Sequence, residues 1–466
     1  MTSLHRLPLI IFFCLLFFLS TLAYGFIIHA HPACLPTALA NLMPKAWAKS
    51  WADPPMISTH YPADDPASPA PLLAWSKNLD AVSYQVEFFD EIPSNLSDTQ
   101  LSPKHIYYAA AIYSNAFNPA MEDFSEETAA GRPLYWRVRA ANLRNKPISR
   151  FSPLEPLYTD AAVARLNAPV PTAVYNEGNG QNLLYPVYSW IRNHGAEQFE
   201  LEVLSDLPEN PEGTAPSQYR IFSTICQFGE QYDPSPRFGP KPFYWRVRGL
   251  DVSGQPVGVY SPVSTFTLNP ADGWEVGIYG DSISHGGGHL SYGPADWEYS
   301  YASYLSFPTV NLSQSGDTSE MMLERFDRDV LPFKPHYLLI LGGSNSLRGG
   351  VPAASVIQDL QKMKEKCLKN GIQPIFLTLP PINPANIQIA FAEDTAEDWP
   401  AQFALVNEYI RSQVHIDIAA ALDCPDGILP TNFGLDGLHL DAAAKKIMAE
   451  TIDENWAEIT LEADAQ

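Results

Sequence analysis

From Glu275 to the C-terminus, short apolar runs alternate with stretches of helical period, and this alternation restricts the fold more than any other feature of the chain. Glu275–Tyr279, Thr309–Leu312, Tyr337–Leu341, Pro374–Leu379 and Val414–Asp417 read as strands, because each is a brief apolar run bounded by turn residues. Between the third and fourth, Val356, Leu360, Met363 and Cys367 recur at i, i+4, i+7 and i+11, the apolar face of one helix. Ser355 is expected to cap its start, and Asn370-Gly371 to end it. Strands alternating with helices imply a five-stranded parallel sheet covered on both faces, a three-layer α/β/α domain. Sites in such sheets form at the carboxyl ends of the strands.

Five chemistry-bearing residues stand at such ends or near the C-terminus. Ser282, in Gly280-Asp281-Ser282-Ile283, follows the first strand, where a turn displays its hydroxyl. Gly316, in Ser313-Gln314-Ser315-Gly316-Asp317, follows the second, and Asn345, in Gly342-Gly343-Ser344-Asn345-Ser346, follows the third. Asp436 and His439 lie three residues apart ahead of a closing helix for which Asp441 is the expected cap. Ester hydrolysis uses a hydroxyl nucleophile, a base and a carboxylate that orients the base, together with N–H donors for the oxyanion. Ser, Gly, Asn and His in this order resemble the SGNH (GDSL-type) hydrolase family. The resemblance implies Ser282 as nucleophile, His439 as base and Asp436 as its orienting acid. It also implies an oxyanion hole made by the N–H of Ser282, the N–H of Gly316 and the amide of Asn345. The chain departs from the family at Ser346, where an acid is usual, and at Ile283, where leucine is usual.

Neighbouring residues have plainer expected roles. Ser284 reads as a helix-start hydroxyl, and Asp317 and Glu320 as the cap and third position of the following helix. The stretch His285-Gly286-Gly287-Gly288-His289 lacks the spacing of a phosphate loop and a third metal ligand, so it is expected to be a mobile loop shaping access to Ser282. Trp297, Tyr299 and Tyr301 either line the same cleft or are buried under the sheet. No metal or cofactor is expected.

Ahead of this region the chain repeats itself. Tyr135-Trp136-Arg137-Val138-Arg139 returns as Tyr244-Trp245-Arg246-Val247-Arg248, 109 positions later, and Ser152-Pro153 returns as Ser261-Pro262 at the same offset. Trp75 answers Trp190, and Tyr84-Gln85-Val86-Glu87 answers Phe199-Glu200-Leu201-Glu202, 115 positions apart. Constant offsets mark a duplicated unit. Alternation of Trp136, Val138 and Ala140 with Tyr135, Arg137 and Arg139 is that of a half-buried strand, so each copy is an all-β sandwich. Its tryptophan and Tyr-Trp-Arg-Val-Arg strand resemble fibronectin type III domains. Trp75 and Trp190 are expected in the cores, and the arginines on a solvated face. The resulting division is 1–28 signal peptide or membrane anchor, 29–66 linker with a short helix near Pro36–Ser50, 67–162 and 163–269 β-sandwiches, and 270–466 hydrolase. The hydrolase region is expected to fold and act alone from about Ala271.

Fifty-two acids against 29 Lys and Arg give a net charge of −23, which excludes nucleic-acid binding, since phosphates must be neutralised by cations. Arg6, the apolar run Leu7–Leu19 and Ala23-Tyr24-Gly25 read as a cleavable signal, with membrane anchoring through residues 7–28 as the alternative. Both place the rest outside the cytoplasm: secreted, periplasmic or at the cell surface. Cys14, Cys34, Cys226, Cys367 and Cys424 form no metal motif, and a Cys367–Cys424 bridge is left open. The family resemblance, taken with the N-terminal targeting segment and the tandem sandwiches, leads to the expectation of an extracytoplasmic serine esterase removing acetyl or short acyl groups from carbohydrate. Within the same chemistry stand a lipase or lysophospholipase, with lipid ester as partner, and an acyltransferase. A surface adhesion protein with an inert hydrolase domain is the reading of another class.

Overall fold

A computed structural model describes residues 51–120, 133–173, 182–211, 213–289, 291–424 and 426–465. The expected signal or anchor (1–28) and the helix near Pro36–Ser50 lie outside the described residues.

The first repeat forms β1 (Ser83–Phe89), β2 (Tyr107–Ile112), β3 (Leu134–Ala141) and β4 (Glu155–Leu157), an antiparallel sheet in the order β2-β1-β3-β4. The second forms β5 (Val187–Ile191), β6 (Gln198–Leu204), β7 (Arg220–Cys226), β8 (Glu230–Tyr232), β9 (Phe243–Leu250) and β10 (Ser264–Phe266). Here β7, β6, β9 and β10 share one sheet, and β8 pairs with β5 in another. Trp136 and Val138 pack with Trp75, Tyr84, Val86 and Phe88, while Trp245 and Val247 pack with Tyr188, Trp190, Leu201 and Val203. Trp75 and Trp190 are core residues, as expected.

The arginines are not solvated. Arg137, Arg139 and Arg246 are 2%, 4% and 0% exposed, because a loop folds over that side of each sheet. Arg137 Nε donates to Glu87 Oε1 (2.6 Å), and its Nη1 to the Ser97 carbonyl (2.7 Å). Arg139 Nη1 reaches the Thr99 carbonyl (2.7 Å). In the second copy Arg246 repeats the arrangement with Glu202 (2.6 Å) and the Asn210 carbonyl (2.7 Å). Strand periodicity says which side a residue faces, and not whether a distant loop covers that side.

The C-terminal region contains β11 (Val276–Gly280), α1 (Ser282–His285), β12 (Val310–Asn311), α2 (Ser319–Asp329), β13 (Tyr337–Leu341), α3 (Ser344–Arg348), α4 (Ala353–Lys369), β14 (Gln373–Leu377), α5 (Pro384–Phe391), α6 (Trp399–Arg411), β15 (His415–Ile416) and α7 (Ala442–Asp464). Its sheet is parallel throughout, in the order β12-β11-β13-β14-β15. Leu338 and Ile340 pack on α2, α4 and α6 on one face, while Leu339 and Leu341 pack toward α7 on the other. Burial of both faces is why Tyr337–Leu341 is apolar without interruption. The chain turns from β11 to one side and then back to β13, so a crevice opens beyond their carboxyl ends, the usual place for a ligand.

Several local expectations change. Ser355 lies inside α4, whose cap position is Pro352, while Asn370 ends the helix. Thr318 caps α2, its Oγ1 accepting from the Met321 N–H, and Asp317 is committed to Arg325 instead. Asp441 occupies the cap position of α7 without capping it, and accepts from the N–H groups of Leu435 (2.8 Å) and His289 (3.2 Å). Cys226, Cys367 and Cys424 are free thiols, so no Cys367–Cys424 bridge forms.

Two larger differences concern organisation. The expected linker is part of the first β unit from Ala52 on, pairing at Ala52 with Ser149, Ile57 with Trp75 and Tyr61 with Leu157. The hydrolase region is also not separate, for residues 52–466 form one compact unit. Leu183 lies parallel against Asn311, the Leu184 N–H donating to the Asn311 carbonyl (2.9 Å) and the Asn311 N–H to that of Asn182 (2.8 Å). That segment therefore covers the outer edge of β12, which would otherwise be an open template for pairing. Leu184, Tyr185 and Leu268 join the core beneath α2. The first unit is tied in through Lys77 to Asp296 (2.5 Å) and Glu298 (3.0 Å) and through Leu79, whose carbonyl accepts from the Tyr299 hydroxyl (2.6 Å).

Candidate active site

Ser282 is the first residue of α1, directly after β11. Asp281 caps α1 by accepting from the Ile283 N–H (3.0 Å). A Cβ on Gly280 would fall 2.2 Å from the Leu341 carbonyl of β13, so glycine lets the strand end and the serine turn fit beside the neighbouring strand.

His439 reaches the same point from the segment before α7. The Ser282 hydroxyl donates to His439 Nε2 (2.9 Å), and His439 Nδ1 donates to Asp436 Oδ2 (2.8 Å). The other oxygen of Asp436 accepts from the N–H groups of Leu438 and His439, both at 2.8 Å. Asp436 is thereby locked, and its bond to Nδ1 fixes the tautomer that leaves Nε2 as an acceptor. Ser284 is a separate hydroxyl, buried against the Tyr301 hydroxyl (3.1 Å).

Gly316 and Asn345 line the cavity that holds Ser282 and His439. Gly316 has φ +89° with open space around its Cα, a conformation suited to glycine that leaves its backbone accessible. Asn345 Nδ2 donates to the Asp317 carbonyl (2.9 Å) and Oδ1 accepts from Arg348 Nε (3.2 Å). Its amide is therefore oriented, with one N–H left for a substrate oxygen. Ser346 supplies support where the family carries an acid: its Oγ accepts from the Ser319 N–H (2.9 Å), and the Ser319 hydroxyl donates to Asp359 (2.8 Å). All five expected site residues therefore meet around one cavity of about 340 Å³.

Three further neighbours support the site. Arg325 of α2 donates to the Leu312 carbonyl (2.6 Å), the Gly280 carbonyl (3.0 Å), Asp329 (3.0 Å) and Asp317. It thus joins the end of β11 to the loop bearing Gly316. Only its i,i+4 spacing to Asp329 could have drawn notice. Arg325→Met is expected to destabilise the protein by ~3–5 kcal/mol, because Asp317 and Asp329 lose a buried cation. A urea midpoint that does not move would refute this reading of the network.

Lys445 of α7 is fully buried, donates to the Ile283 carbonyl behind Ser282, and its pKa is pushed down to about 7 by that burial. Burial also pushes Asp281 up to about 6.

His285 is the third. Its Nε2 donates to the Tyr185 carbonyl of the second β unit (2.7 Å), and its Nδ1 accepts from the Ser315 hydroxyl (2.9 Å). Burial pushes it down to about 4, so it stays neutral and joins the β unit to the loop bearing Ser315 and Gly316. The loop expected to be mobile is instead packed, with His285 and His289 only 1% and 2% exposed. Tyr299 and Tyr301 are buried away from the cavity, and Trp297 is exposed outside it. The second β unit reaches the cavity, which Glu230 and Tyr232 of β8 help to line.

Residues 278–447 match the GDSL-like Lipase/Acylhydrolase family. A search of curated proteins finds no match. Among solved structures, the chain is similar to a GDSL-like lipase from Bacteroides thetaiotaomicron VPI-5482, at 18% identity over 40% of this chain and 90% of that one, with a TM-score of 0.31. It is similar also to a lipase/acylhydrolase from Enterococcus faecalis, at 20% identity over 39% and 93%, with a TM-score of 0.30. The assignment rests on the family match: the C-terminal region is a GDSL-like lipase/acylhydrolase domain, and the chain that carries it is a serine-type carboxylic-ester hydrolase.

Proposed function

We propose that this protein is an extracytoplasmic esterase that removes acetyl or other short acyl groups from carbohydrate, with Ser282 as nucleophile, His439 as base and Asp436 as orienting acid. The observation that carries the reading is the unbroken relay from Ser282 Oγ through His439 to Asp436, 2.9 Å and 2.8 Å. His439 Nε2 takes the hydroxyl proton as Oγ attacks the ester carbon. The oxyanion is held by the N–H groups of Ser282 and Gly316 and by the Asn345 amide, worth most when the charge develops. On collapse, His439 returns the proton to the departing alcohol, leaving an acyl-serine. Water, activated by the same imidazole, then releases the acid and restores the serine.

A cavity of about 340 Å³ lies at the small end of the ~300–1,000 Å³ of ligand pockets, which supports a short acyl group over a fatty chain. The apolar N-terminal run supports export. The two β units ahead of the hydrolase region, which resemble fibronectin type III domains, support a polymeric substrate, an argument by analogy alone. The test is a panel of p-nitrophenyl esters from acetate to palmitate, run beside acetylated xylan. The expected result is kcat/KM highest at two to four carbons, with acetate released from xylan. A maximum at eight carbons or more would overturn the short-acyl reading.

A further inference from the structure

The cavity around Ser282 is walled partly by residues from outside the hydrolase region, and one buried polar side chain that lines it, His289, has no hydrogen-bond partner among the described residues. His289 is 2% exposed, lines the cavity, and neither of its ring nitrogens completes a hydrogen bond among the described residues. The Leu79 carbonyl, which accepts from the Tyr299 hydroxyl (2.6 Å), lies near the ring without completing a bond to it. Tyr292 and Tyr299 hold the ring edge-to-face, at 5.2 and 5.9 Å. Glu230 reaches the same cavity from β8, its carboxyl lying so close to Gly293 that a Cβ there would come within 2.1 Å of Oε2. No donor of the described residues pairs with that carboxyl. Buried polar groups are normally satisfied, and an unsatisfied one costs ~1–3 kcal/mol. An unpaired buried imidazole beside the half-buried Glu230 carboxyl on one cavity points to a ligand that bonds both.

We propose that Glu230 and His289 form the subsite for the alcohol half of the ester and bind hydroxyl groups of a neutral sugar. This deepens the carbohydrate reading above and rests on it. Burial, with Asp296 beside it, pushes Glu230 up to about 8, and burial pushes His289 down to about 4. At neutral pH each therefore offers one donor and one acceptor without net charge, which matches hydroxyl groups. An alkyl chain laid on this wall would leave both unsatisfied. Arg348, the arginine lining the cavity, is engaged with Glu393 (2.7 Å), which disfavours a phosphate headgroup. Tyr232, next along β8 and 39% exposed, adds an aromatic face against which a sugar ring can pack. The second β unit is then a specificity element.

The test compares kcat/KM for O-acetylated xylo-oligosaccharides and for p-nitrophenyl acetate in the full-length wild type, Glu230→Ala and Glu230→Gln. Glu230→Ala should lower the value for the saccharide about 10- to 100-fold more than for the nitrophenyl ester, chiefly through KM, the size of a lost hydrogen-bonding group. Glu230→Gln, a neutral residue of the same shape, should recover most of that difference, which a purely structural role for the carboxyl would not produce. Equal losses on both substrates, or none, would overturn the subsite while leaving the esterase assignment standing. A selective loss on a lysophospholipid instead would assign the wall to a lipid headgroup and overturn the sugar. A wild type active on p-nitrophenyl acetate and inert on every acetylated saccharide would overturn the carbohydrate reading together with the subsite.

Discussion

Replacing Ser282 with alanine is expected to lower kcat on p-nitrophenyl acetate by ~10⁴-fold or more with the fold intact, the scale seen when a triad member is removed. The relay loses its reacting atom, while the oxyanion donors and the cavity stay in place. Ser282 is 8% exposed at the start of a four-residue helix, so deleting one oxygen disturbs little packing. A fluorophosphonate should label Ser282 and no other serine. Ser284, two residues on, is the natural control, since its hydroxyl faces Tyr301 and not His439. Labelling at Ser284, or a Ser282→Ala enzyme within tenfold of the wild type, would remove the proposed mechanism.

A chain beginning at Ala271 is expected to be aggregation-prone and to have lost most of its esterase activity, contrary to what block order alone suggests. Every proposed catalytic group lies beyond that point, but three supports do not. Truncation uncovers the edge of β12, which residues 182–184 occupy, and exposed strand edges pair with other chains. It removes Leu184, Tyr185 and Leu268 from the core and the Tyr185 hydroxyl from Asp329 (2.6 Å). It also deletes the carbonyl that holds His285 Nε2, and with it the anchor of Ser315 beside Gly316. The measurement is solubility by sedimentation and kcat on p-nitrophenyl acetate, against the full-length protein. A monodisperse truncated chain with undiminished kcat would show the β units to be dispensable for catalysis.

Much of the catalytic region was legible because the signals are local. The apolar run Tyr337–Leu341 matches its strand end to end, since a strand buried on both faces must be apolar at every position. The face Val356, Leu360, Met363 and Cys367 is the buried face of α4, as a 3.6-residue period requires. Capping was less legible. Ser355, Asp317 and Asp441 each resemble a cap residue, yet tertiary demands left Ser355 inside α4 and directed Asp317 to Arg325 and Asp441 to distant N–H groups.

What the sequence determined by itself is thus the five strands of the parallel sheet, their order along the chain, and the presence of a serine, glycine, asparagine and Asp-x-x-His beside them. Asp436 and His439 could be paired from spacing because three residues separate them. What only the tertiary structure decided lies across long stretches of chain. It comprises the meeting of Ser282 with His439 over 157 residues, the anchoring of His285 by a carbonyl 100 residues away, and the burial of Arg137 and Arg246 under loops. The entry of Glu230 into the catalytic cavity belongs with these. Local periodicity reports which face of an element is apolar. Which distant surface covers that face is settled only when the whole chain packs, because the partner is chosen by shape and by satisfaction of buried polar groups.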